Sequence, residues 1–281
     1  MATYHMIDTT IEINYIFDRY YKDNLESYIT KQKPIYIINT YLVDEIDVPN
    51  LKVINQTVRK KFFQDNLHDY ALFHLPDKTP IILIKRQKDF KKYDIYLNKH
   101  KQSPLDGIEY TIHQTVFMEI ALSRGFLPLH ASAFLYKNKA ILISGPSGTG
   151  KTTLSSRMNL LYGYEIINDD KPLLKVYDDQ VYVYSSPFSG KEALNMNLNV
   201  PLGYIVFIAQ GSENKFYPLT EKEAINELLR NMFRPDNAAI WDIALDVSSR
   251  VIHEEKMIRY ACLNENSAGH TLENYLKEVI V

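Results

Sequence analysis

The chain has 281 residues, enough for one large or two ordinary domains, because single hydrophobic cores usually stop growing at about 250–300 residues. Apolar residues make up 46% of the chain and charged residues 23%, which excludes a disordered, collagen-like or low-complexity protein. The net charge of −2 gives no overall attraction for nucleic acid, so nucleic acid is not expected as a partner.

Cysteine content and hydropathy bear on the compartment. Cys262 is the only cysteine of the sequence, so no internal disulfide can form, as in proteins of reducing compartments. The first eight residues lack a basic segment followed by an apolar run, and no stretch approaches the roughly 18 apolar residues of a spanning helix. We therefore expect a cytoplasmic protein with no membrane partner.

Residues 1–105 have an α+β pattern without a recognisable motif. A helix is predicted at Arg19–Thr30. The segment from Lys85 to Lys101 contains seven basic and two acidic residues. This positive patch could contact an acidic partner surface, but a solvated loop and strand edge is the simpler interpretation. We predict that this region serves in substrate or partner recognition. Short strand-like runs occur at residues 10–15, 34–38 and 80–84.

Residues 102–107 are polar and contain a proline and a glycine, so we place a domain boundary between residues 105 and 106. A helix is predicted at Ile108–Arg124, with Gly125 as its stop. Two extended runs follow, at residues 127–136 and 139–144, joined by the short polar turn Lys137-Asn138. This spacing predicts an antiparallel hairpin whose second strand leads into the most informative segment of the chain.

Residues 145–152 read Gly-Pro-Ser-Gly-Thr-Gly-Lys-Thr and fit the phosphate-loop pattern G-x-x-x-x-G-K-[ST], between a strand-like run and a helical one closed by Gly163. Glycines let successive N–H groups point inward, and the helix N-terminus adds positive partial charge, so the segment favours a phosphate chain. Lys151 would reach the β- and γ-phosphates of ATP, and Thr152 would bind Mg²⁺. We expect Lys151 to be an exposed lysine whose replacement leaves the fold intact. The predicted nucleotide contacts are Gly145, Ser147, Gly148, Thr149, Gly150, Lys151, Thr152 and Thr153.

Two adjacent acids, Asp169 and Asp170, follow a strand-like run at residues 165–168. Phosphoryl transfer needs one carboxylate near the metal, and a kinase uses a second to accept the proton of the attacking hydroxyl. Adjacent acids can serve both purposes where the chain bends, and Lys171-Pro172 favours a bend. Both acids are predicted to be catalytic. Asp170 and Thr152 form the predicted metal site. The sequence leaves open which of the two acids is the base.

A histidine strand before the loop (Leu129-His130-Ala131-Ser132-Ala133), the loop itself and Ile167-Asn168-Asp169-Asp170 together resemble the catalytic domain of HPr kinase/phosphorylase and its relatives. The resemblance covers roughly residues 108–281. It implies an α/β, mixed-sheet P-loop domain of the HPr kinase/phosphoenolpyruvate carboxykinase type over 106–281, with His130 near the transferred phosphate and Asp169 or Asp170 as base. HPr kinase is an oligomer, so a homo-oligomer is an expectation, without a traceable assembly surface.

The sequence departs from HPr kinase proper around Pro187–Gly190, where that family has an acid, then an arginine, then glycine. Lys191 could supply a positive charge there, but a lysine does not reproduce a bidentate guanidinium, so the reverse phosphorolysis is doubtful. Lys191, Arg230 and Arg234 are the candidate substrate contacts. Interaction with the helix dipole explains Arg230 and Arg234 equally well.

The leading functional hypothesis is a kinase that transfers the γ-phosphoryl group of ATP to a serine-type hydroxyl of a protein or peptide, including the precursor peptide of a natural product. Two alternatives stay open. One is a kinase for a small hydroxylated molecule, and the other is a non-catalytic, nucleotide-binding regulatory protein. The acid pair argues against the regulatory protein, because a nucleotide binder needs at most one carboxylate for the metal.

Overall fold

The structure is a computed structural model that describes residues 2–101, 103–188, 195–253 and 256–280, without the side chains of residues 238 and 239. The chain divides into two compact units, Met1–Ile120 and Ala121–Val281. Within the described residues, no helix is both long enough and apolar enough to cross a bilayer.

The first unit contains an eight-stranded mixed sheet among its described residues, in the order β1-β2-β3-β8-β7-β6-β5-β4. β3 is parallel to both of its neighbours, β2 and β8, and the remaining pairs are antiparallel. The strands are β1 (Ala2–Met6), β2 (Thr9–Asn14), β3 (Tyr36–Val43), β4 (Val53–Gln56), β5 (Lys60–Gln64), β6 (His68–His74), β7 (Pro80–Gln87) and β8 (Lys92–Asn98). The helical segments are α1 (Tyr21–Leu25), a 3₁₀ turn (Glu26–Tyr28) and α2 (Leu105–Ser123).

The helix predicted at Arg19–Thr30 is only partly present, as α1 and the 3₁₀ turn. The helix ends early because the following residues join the sheet instead. Ile29 forms a β-bridge with Tyr4, and the backbone N–H of Thr30 donates to the carbonyl of Thr3 at 2.9 Å. A pairing between segments distant in sequence therefore overrides the local helical preference.

Most of helix α2 belongs to the first unit, so the units divide inside this helix and not at residue 105 as the sequence suggested. The Glu109 carboxylate accepts the backbone N–H groups of residues 16 and 17, at 2.7 and 2.9 Å. His113 is fully buried between the hydroxyls of Tyr21 and Thr40, each 2.7 Å from a ring nitrogen. These contacts attach α2 to the N-terminal sheet. A separate recognition function for the first unit stays a prediction.

The basic segment Lys85–Lys101 is largely neutralised by neighbouring acids. Arg86 is buried, and three of the lysines lie within 4 Å of a carboxylate. The arrangement favours a solvated surface over a patch for an acidic partner. The ion pairs are Arg86 with Asp69 and Glu119, Lys91 with Asp89, Lys92 with Asp94, and Lys99 with Asp44.

The second unit contains a nine-stranded mixed sheet among its described residues. Seven strands follow in the order β12-β10-β11-β15-β14-β13-β9, and β17 pairs with both β15 and β16. The strands are β9 (Leu127–Pro128), β10 (Ala131–Tyr136), β11 (Lys139–Ser144), β12 (Ile166–Asn168), β13 (Leu173–Tyr177), β14 (Gln180–Tyr184), β15 (Asn199–Gln210), β16 (Lys215–Pro218) and β17 (Met257–Cys262). The helices are α3 (Lys151–Tyr162), α4 (Glu221–Asn231), α5 (Ala238–Ile252) and α6 (Asn266–Val279).

The predicted turn Lys137-Asn138 is confirmed by the backbone, and Asp178-Asp179 form a second turn of the same kind. Lys137 and Asn138 connect the antiparallel strands β10 and β11, and Asp178 and Asp179 connect β13 and β14. All four residues have positive φ angles, between 45° and 60°, as the tight turns that match the twist of a hairpin require. The mixed α/β character of the chain is likewise as expected.

One core cluster packs helices α3 and α6 against the sheet strands around β11. Its members from α3 and α6 include Met158 and Leu272, and its strand members include Ile143 and Val206, all with no more than 3% of their surface exposed. Because the strand β11 and the helix α3 are both held in this core, the short segment that connects them has two fixed ends.

Candidate functional site

Strand directions bring three separate segments to one edge of the second sheet. β10 is antiparallel to β11 and to β12, so β11 and β12 end at the edge where β10 begins. Gly145 directly follows β11, Asp169 and Asp170 follow β12, and His130 directly precedes β10. The carboxyl ends of such strands are where ligands bind in open α/β sheets.

Residues 145–150, called the glycine loop here, connect β11 to the start of α3. Gly145, Gly148 and Gly150 have φ angles of +150°, +80° and +99°, values that residues with a side chain rarely adopt. A Cβ atom on Gly145 would lie only 2.8 Å from the carbonyl oxygen of Ile208. Thr149 closes the loop, because its hydroxyl donates to the Pro146 carbonyl at 2.8 Å.

The start of α3 presents polar groups to solvent. Thr152 and Thr153 are exposed, as is Ser147 in the loop. Gly150 caps the helix without any side-chain hydrogen bond, and the first turn contains no acidic residue. A helix start of this kind has unpaired N–H groups and positive partial charge, and both favour an anion.

Lys151 is buried, with 8% of its surface exposed, which corrects the expectation of an exposed lysine. Its ammonium group donates to the carbonyl oxygens of Gly145 and Pro146, at 2.9 and 3.0 Å. Burial lowers the pKa of this ammonium, and the negative charge of Asp170 opposes that effect.

Asp170 forms two ion pairs. Its Oδ1 atom lies 3.1 Å from Nδ1 of His130, and its Oδ2 atom lies 2.6 Å from the Nζ atom of Lys171. Burial by itself would raise the pKa of the Asp170 carboxyl, but the hydrogen bonds of His130 and Lys171 and the charge of the Lys171 ammonium outweigh it. The pKa therefore lies well below its usual range. Asp170 accordingly stays ionised at neutral pH.

The sequence interpretation missed the role of Lys171, which it treated only as part of a bend. A lysine next to an acid is a weak signal on its own, because adjacent side chains often point apart. Here the turn after β12 brings the two charges together. Asn168, fully buried, makes this turn: its Oδ1 atom accepts the N–H groups of Asp170 and Lys171, at 3.0 and 2.8 Å.

Asn168 is a second residue that sequence reasoning did not assign to the site. Its side-chain N–H also donates to the carbonyl of Ser186 at 2.9 Å. Asparagine commonly accepts N–H groups two and three residues further along the chain. An asparagine directly before the two acids could therefore have predicted this turn from the sequence. Asp169, at 8% exposure, is more buried than its neighbour. The two acids thus have different surroundings.

His130 is held from both sides of its backbone. Its carbonyl accepts the hydroxyl of Ser144, the last residue of β11, at 3.1 Å, and its N–H donates to the carbonyl of Asn231 at 2.7 Å. The imidazole itself is 39% exposed. The backbone is therefore fixed, while the ring is open to a ligand.

The segment after α4 runs beside His130. Asn231 is bonded to the N–H of His130, and Arg230 and Arg234 stand on either side of the short stretch that pairs with residues 128–130. Both arginines are exposed. Lys191, the third predicted substrate contact, lies outside the described residues. The roles of all three stay predictions.

The predicted metal ligands are a hydroxyl and a carboxylate, both hard oxygen donors of the kind that Mg²⁺ prefers. Among the described residues, no group of three or more histidine, cysteine, aspartate or glutamate side chains is placed to hold a metal ion. Mg²⁺ in nucleotide enzymes is commonly bound through one or two protein oxygens together with substrate phosphates and water. The chemistry of Thr152 and Asp170 therefore fits a nucleotide-bound Mg²⁺.

Comparison with known proteins gives a distant structural similarity. No protein-family model matches the chain, and no curated protein does. Among solved structures, the chain is similar to the HPr(Ser) kinase/phosphatase from Coxiella burnetii. The sequence identity is 16% and the TM-score 0.25, over 45% of this chain and 98% of the other.

Proposed function

We propose that this protein is an ATP-dependent kinase that transfers the γ-phosphoryl group to a serine-type hydroxyl of a protein or peptide. The observation that carries the proposal is the placement of the His130–Asp170 pair and the Lys151 ammonium at the same sheet edge as the glycine loop. The pair supplies a charged acceptor for a proton, and the loop supplies donors for phosphate oxygens. A kinase needs both within reach of one ligand.

In this proposal, Lys151 changes partners when nucleotide binds. Its ammonium donates to two loop carbonyls, which are neutral acceptors. Phosphate oxygens carry charge and accept stronger hydrogen bonds, so the β- and γ-phosphates would take Lys151 over from these carbonyls. The amides of the loop and of the first turn of α3 hold the remaining phosphate oxygens, together with Thr152 and Thr153.

The His130–Asp170 pair receives the proton of the acceptor hydroxyl. An ionised carboxylate can only accept hydrogen bonds, so Nδ1 of His130 carries the hydrogen between them, and in the neutral ring Nε2 keeps a lone pair. The acceptor oxygen attacks the γ-phosphorus, a new O–P bond forms, and the bond to the β,γ-bridging oxygen breaks. The proton moves from the hydroxyl to the pair, and ADP leaves with the bridging oxygen.

Mg²⁺, when bound with the nucleotide, supplies charge neutralisation for the β- and γ-phosphate oxygens. Thr152 and one of the two adjacent acids, Asp169 or Asp170, are the residues of this chain that would hold it. The acceptor lies on the His130 side, where the exposed Arg230 and Arg234 provide positive charge for a substrate.

The proposal is tested by incubating the purified full chain with Mg²⁺ and ATP labelled in the γ-phosphate. Synthetic serine peptides, matched alanine peptides and free hydroxylated metabolites are offered as acceptors, and mass spectrometry detects transfer. We expect label on serine peptides and none on alanine peptides. Transfer to metabolites alone would favour the small-molecule kinase, and tight nucleotide binding without ADP formation would favour the regulatory protein.

A further inference from the structure

A pocket of about 580 Å³ lies at the opposite edge of the nine-stranded sheet from the glycine loop. β11, β15 and β17 are parallel and end at the edge that carries the loop, so they begin at the other edge. The pocket is lined by Met257 and Ile258, the first two residues of β17, and by Pro218, the last residue of the antiparallel β16. We call it the β17 pocket.

The β17 pocket is separate from the site described above. Its described lining includes none of the residues assigned to phosphate binding, metal binding or proton transfer. Its volume lies in the range of about 300–1,000 Å³ that is usual for small-molecule sites. The pocket could therefore hold a ligand of its own, and its lining indicates the chemistry of that ligand.

Two tyrosines of the lining are fixed by each other and by the core. The Tyr275 hydroxyl donates to the Tyr204 hydroxyl at 3.1 Å, and the two rings lie perpendicular with their centroids 5.7 Å apart. Tyr275 also stacks on Phe216, with the ring centroids 4.2 Å apart. Aromatic faces carry negative partial charge, and the Tyr275 oxygen keeps lone pairs after it donates its hydrogen. Both features attract a cation.

The charged group of the lining is Glu221, the first residue of α4. This helix end is already capped without it, because Thr220 and Glu223 exchange hydrogen bonds there. Glu223 and Glu227 of the same helix pair with Arg259, whereas no described residue forms an ion pair with Glu221. The described lining contains no lysine and no arginine. The carboxylate thus gives the pocket a negative charge that its described lining does not balance.

The rest of the lining is mainly apolar, with one imidazole from His253. An anion would lie against the Glu221 carboxylate with no lysine or arginine to hold it. A neutral apolar ligand would remove water from that carboxylate without replacing its hydrogen bonds. A cation with an apolar body meets every part of the lining. The apolar contributions come from Pro218, Leu219, Ala224, Ile252, Met257 and Ile258.

We propose that the β17 pocket binds a small organic cation, an ammonium or guanidinium group attached to an apolar body. The cationic group contacts the Glu221 carboxylate and the tyrosine pair, and the body contacts the aliphatic side chains. Binding involves no covalent step. The site shares no residue with the proposed kinase site, so either one can fail while the other stands.

The experiment measures the affinity of the full-length protein for matched probes by ligand-observed NMR titration. Three cations are compared with neutral molecules of similar shape: phenethylammonium with 2-phenylethanol, isopentylammonium with 3-methylbutan-1-ol, and benzylguanidinium with benzylurea. An anion, 3-phenylpropionate, is included. For at least one pair we expect the cation to bind about fivefold more tightly than its neutral partner, the combined effect of an ion pair and a cation–π contact. The anion should bind more weakly than both members of the phenyl pair.

Variants assign the binding to the pocket. Glu221→Gln keeps the shape of the side chain and removes its charge, so the preference for the cation should fall to about twofold or less, with the neutral affinity unchanged. Tyr275→Phe keeps the ring and removes the hydroxyl, so cation affinity should fall a few-fold. Glu165→Gln, at an exposed position just before β12, is the matched control and should change nothing.

Two results would overturn the proposal. One is that none of the three cations binds more tightly than its neutral partner. The other is that Glu221→Gln binds the cations as the wild type does, which would place their site elsewhere on the protein. In either case, transfer of labelled phosphate by the same protein preparation still tests the kinase function separately.

Discussion

His130 and Asp170 lie 40 positions apart in the chain, yet Nδ1 of one is 3.1 Å from Oδ1 of the other. The contact exists because β10 pairs with β12, which places the residue before one strand beside the residues after the other. Lys171 completes the group on the second carboxylate oxygen. The Asp170 carboxylate is therefore held in place by two side-chain partners, as an oriented proton acceptor would be, and is not an isolated acid at a turn.

Replacing Asp170 tests the proton acceptor. Asp170→Asn keeps the shape of the side chain and removes its charge, so we expect turnover to fall by about 10²–10⁴ while tripolyphosphate binding changes only a few-fold. Asp179→Asn is the matched control, because that aspartate lies exposed in a hairpin turn. Turnover and affinity are measured for both variants. Near wild-type turnover in Asp170→Asn would remove the pair from the mechanism.

Asp169→Asn separates the two adjacent acids. If Asp169 serves the metal instead of the proton, the variant should lose Mg²⁺-dependent affinity for ATP, and added Mg²⁺ should restore part of its turnover. Asp170→Asn should respond less to added Mg²⁺. The measurement is an ATP binding isotherm at several Mg²⁺ concentrations. Identical responses of the two variants would contradict separate roles.

Lys171 should set the acid limit of activity. Its charge helps to hold the pKa of the Asp170 carboxyl below the usual range, so Lys171→Met should raise that pKa. The pair must be unprotonated to accept a proton, and activity is lost as the pH falls through its pKa. The acid limb of the kcat/KM profile should therefore move to higher pH in Lys171→Met and return toward wild type in Lys171→Arg. Superimposable profiles would show that Lys171 has only a structural role.

Lys151 should contribute both to phosphate binding and to the stability of the glycine loop. Lys151→Met removes the donor to the terminal phosphates, so tripolyphosphate affinity and turnover should fall at least tenfold. It also leaves the Gly145 and Pro146 carbonyls without their donor, which should lower the free energy of unfolding by about 1 kcal/mol. Lys139→Met, at the opposite end of β11, is the control for both measurements. Unchanged tripolyphosphate affinity would refute the phosphate-loop interpretation.

His113 makes the stability of the first unit depend on pH. Burial lowers the pKa of its imidazole to about 3, whereas an unfolded histidine titrates near 6.5. The unfolded chain therefore binds the proton more readily, and the stabilisation is complete above about pH 6.5. It is lost progressively as the pH falls toward about 3, by about 1.4 kcal/mol per pH unit.

Hydrogen exchange of peptides from β3 and α2, measured between pH 7 and pH 5 and corrected for the intrinsic exchange rate, reports this effect on the full chain. His113→Gln should flatten the pH dependence, because glutamine can replace the hydrogen bonds without taking up a proton. His5→Gln, at an exposed strand position, should leave the slope unchanged. A slope that persists in His113→Gln would assign the dependence to other groups.

The sequence by itself determined the local features of the second unit. Turns such as Lys137-Asn138 need residues that tolerate positive φ, and the order of strand, glycine loop and helix around Lys151 follows from short-range spacing. Gly163 ends α3 in the left-handed conformation for the same local reason. These features depend on neighbours within a few residues, so the sequence carries them directly.

Only the tertiary structure decided which distant residues meet. The pairing of β10 with β12 gives Asp170 its partner His130, and the turn held by Asn168 brings Lys171 to the same carboxylate. The Lys151 ammonium can be buried because the folded loop directs two carbonyl oxygens toward it, and these accept its hydrogen bonds. Likewise, α2 belongs to the first unit because its buried polar side chains find their partners in the N-terminal strands and turns. Strand order and long-range hydrogen bonds follow from packing of the whole sheet, which no local pattern specifies.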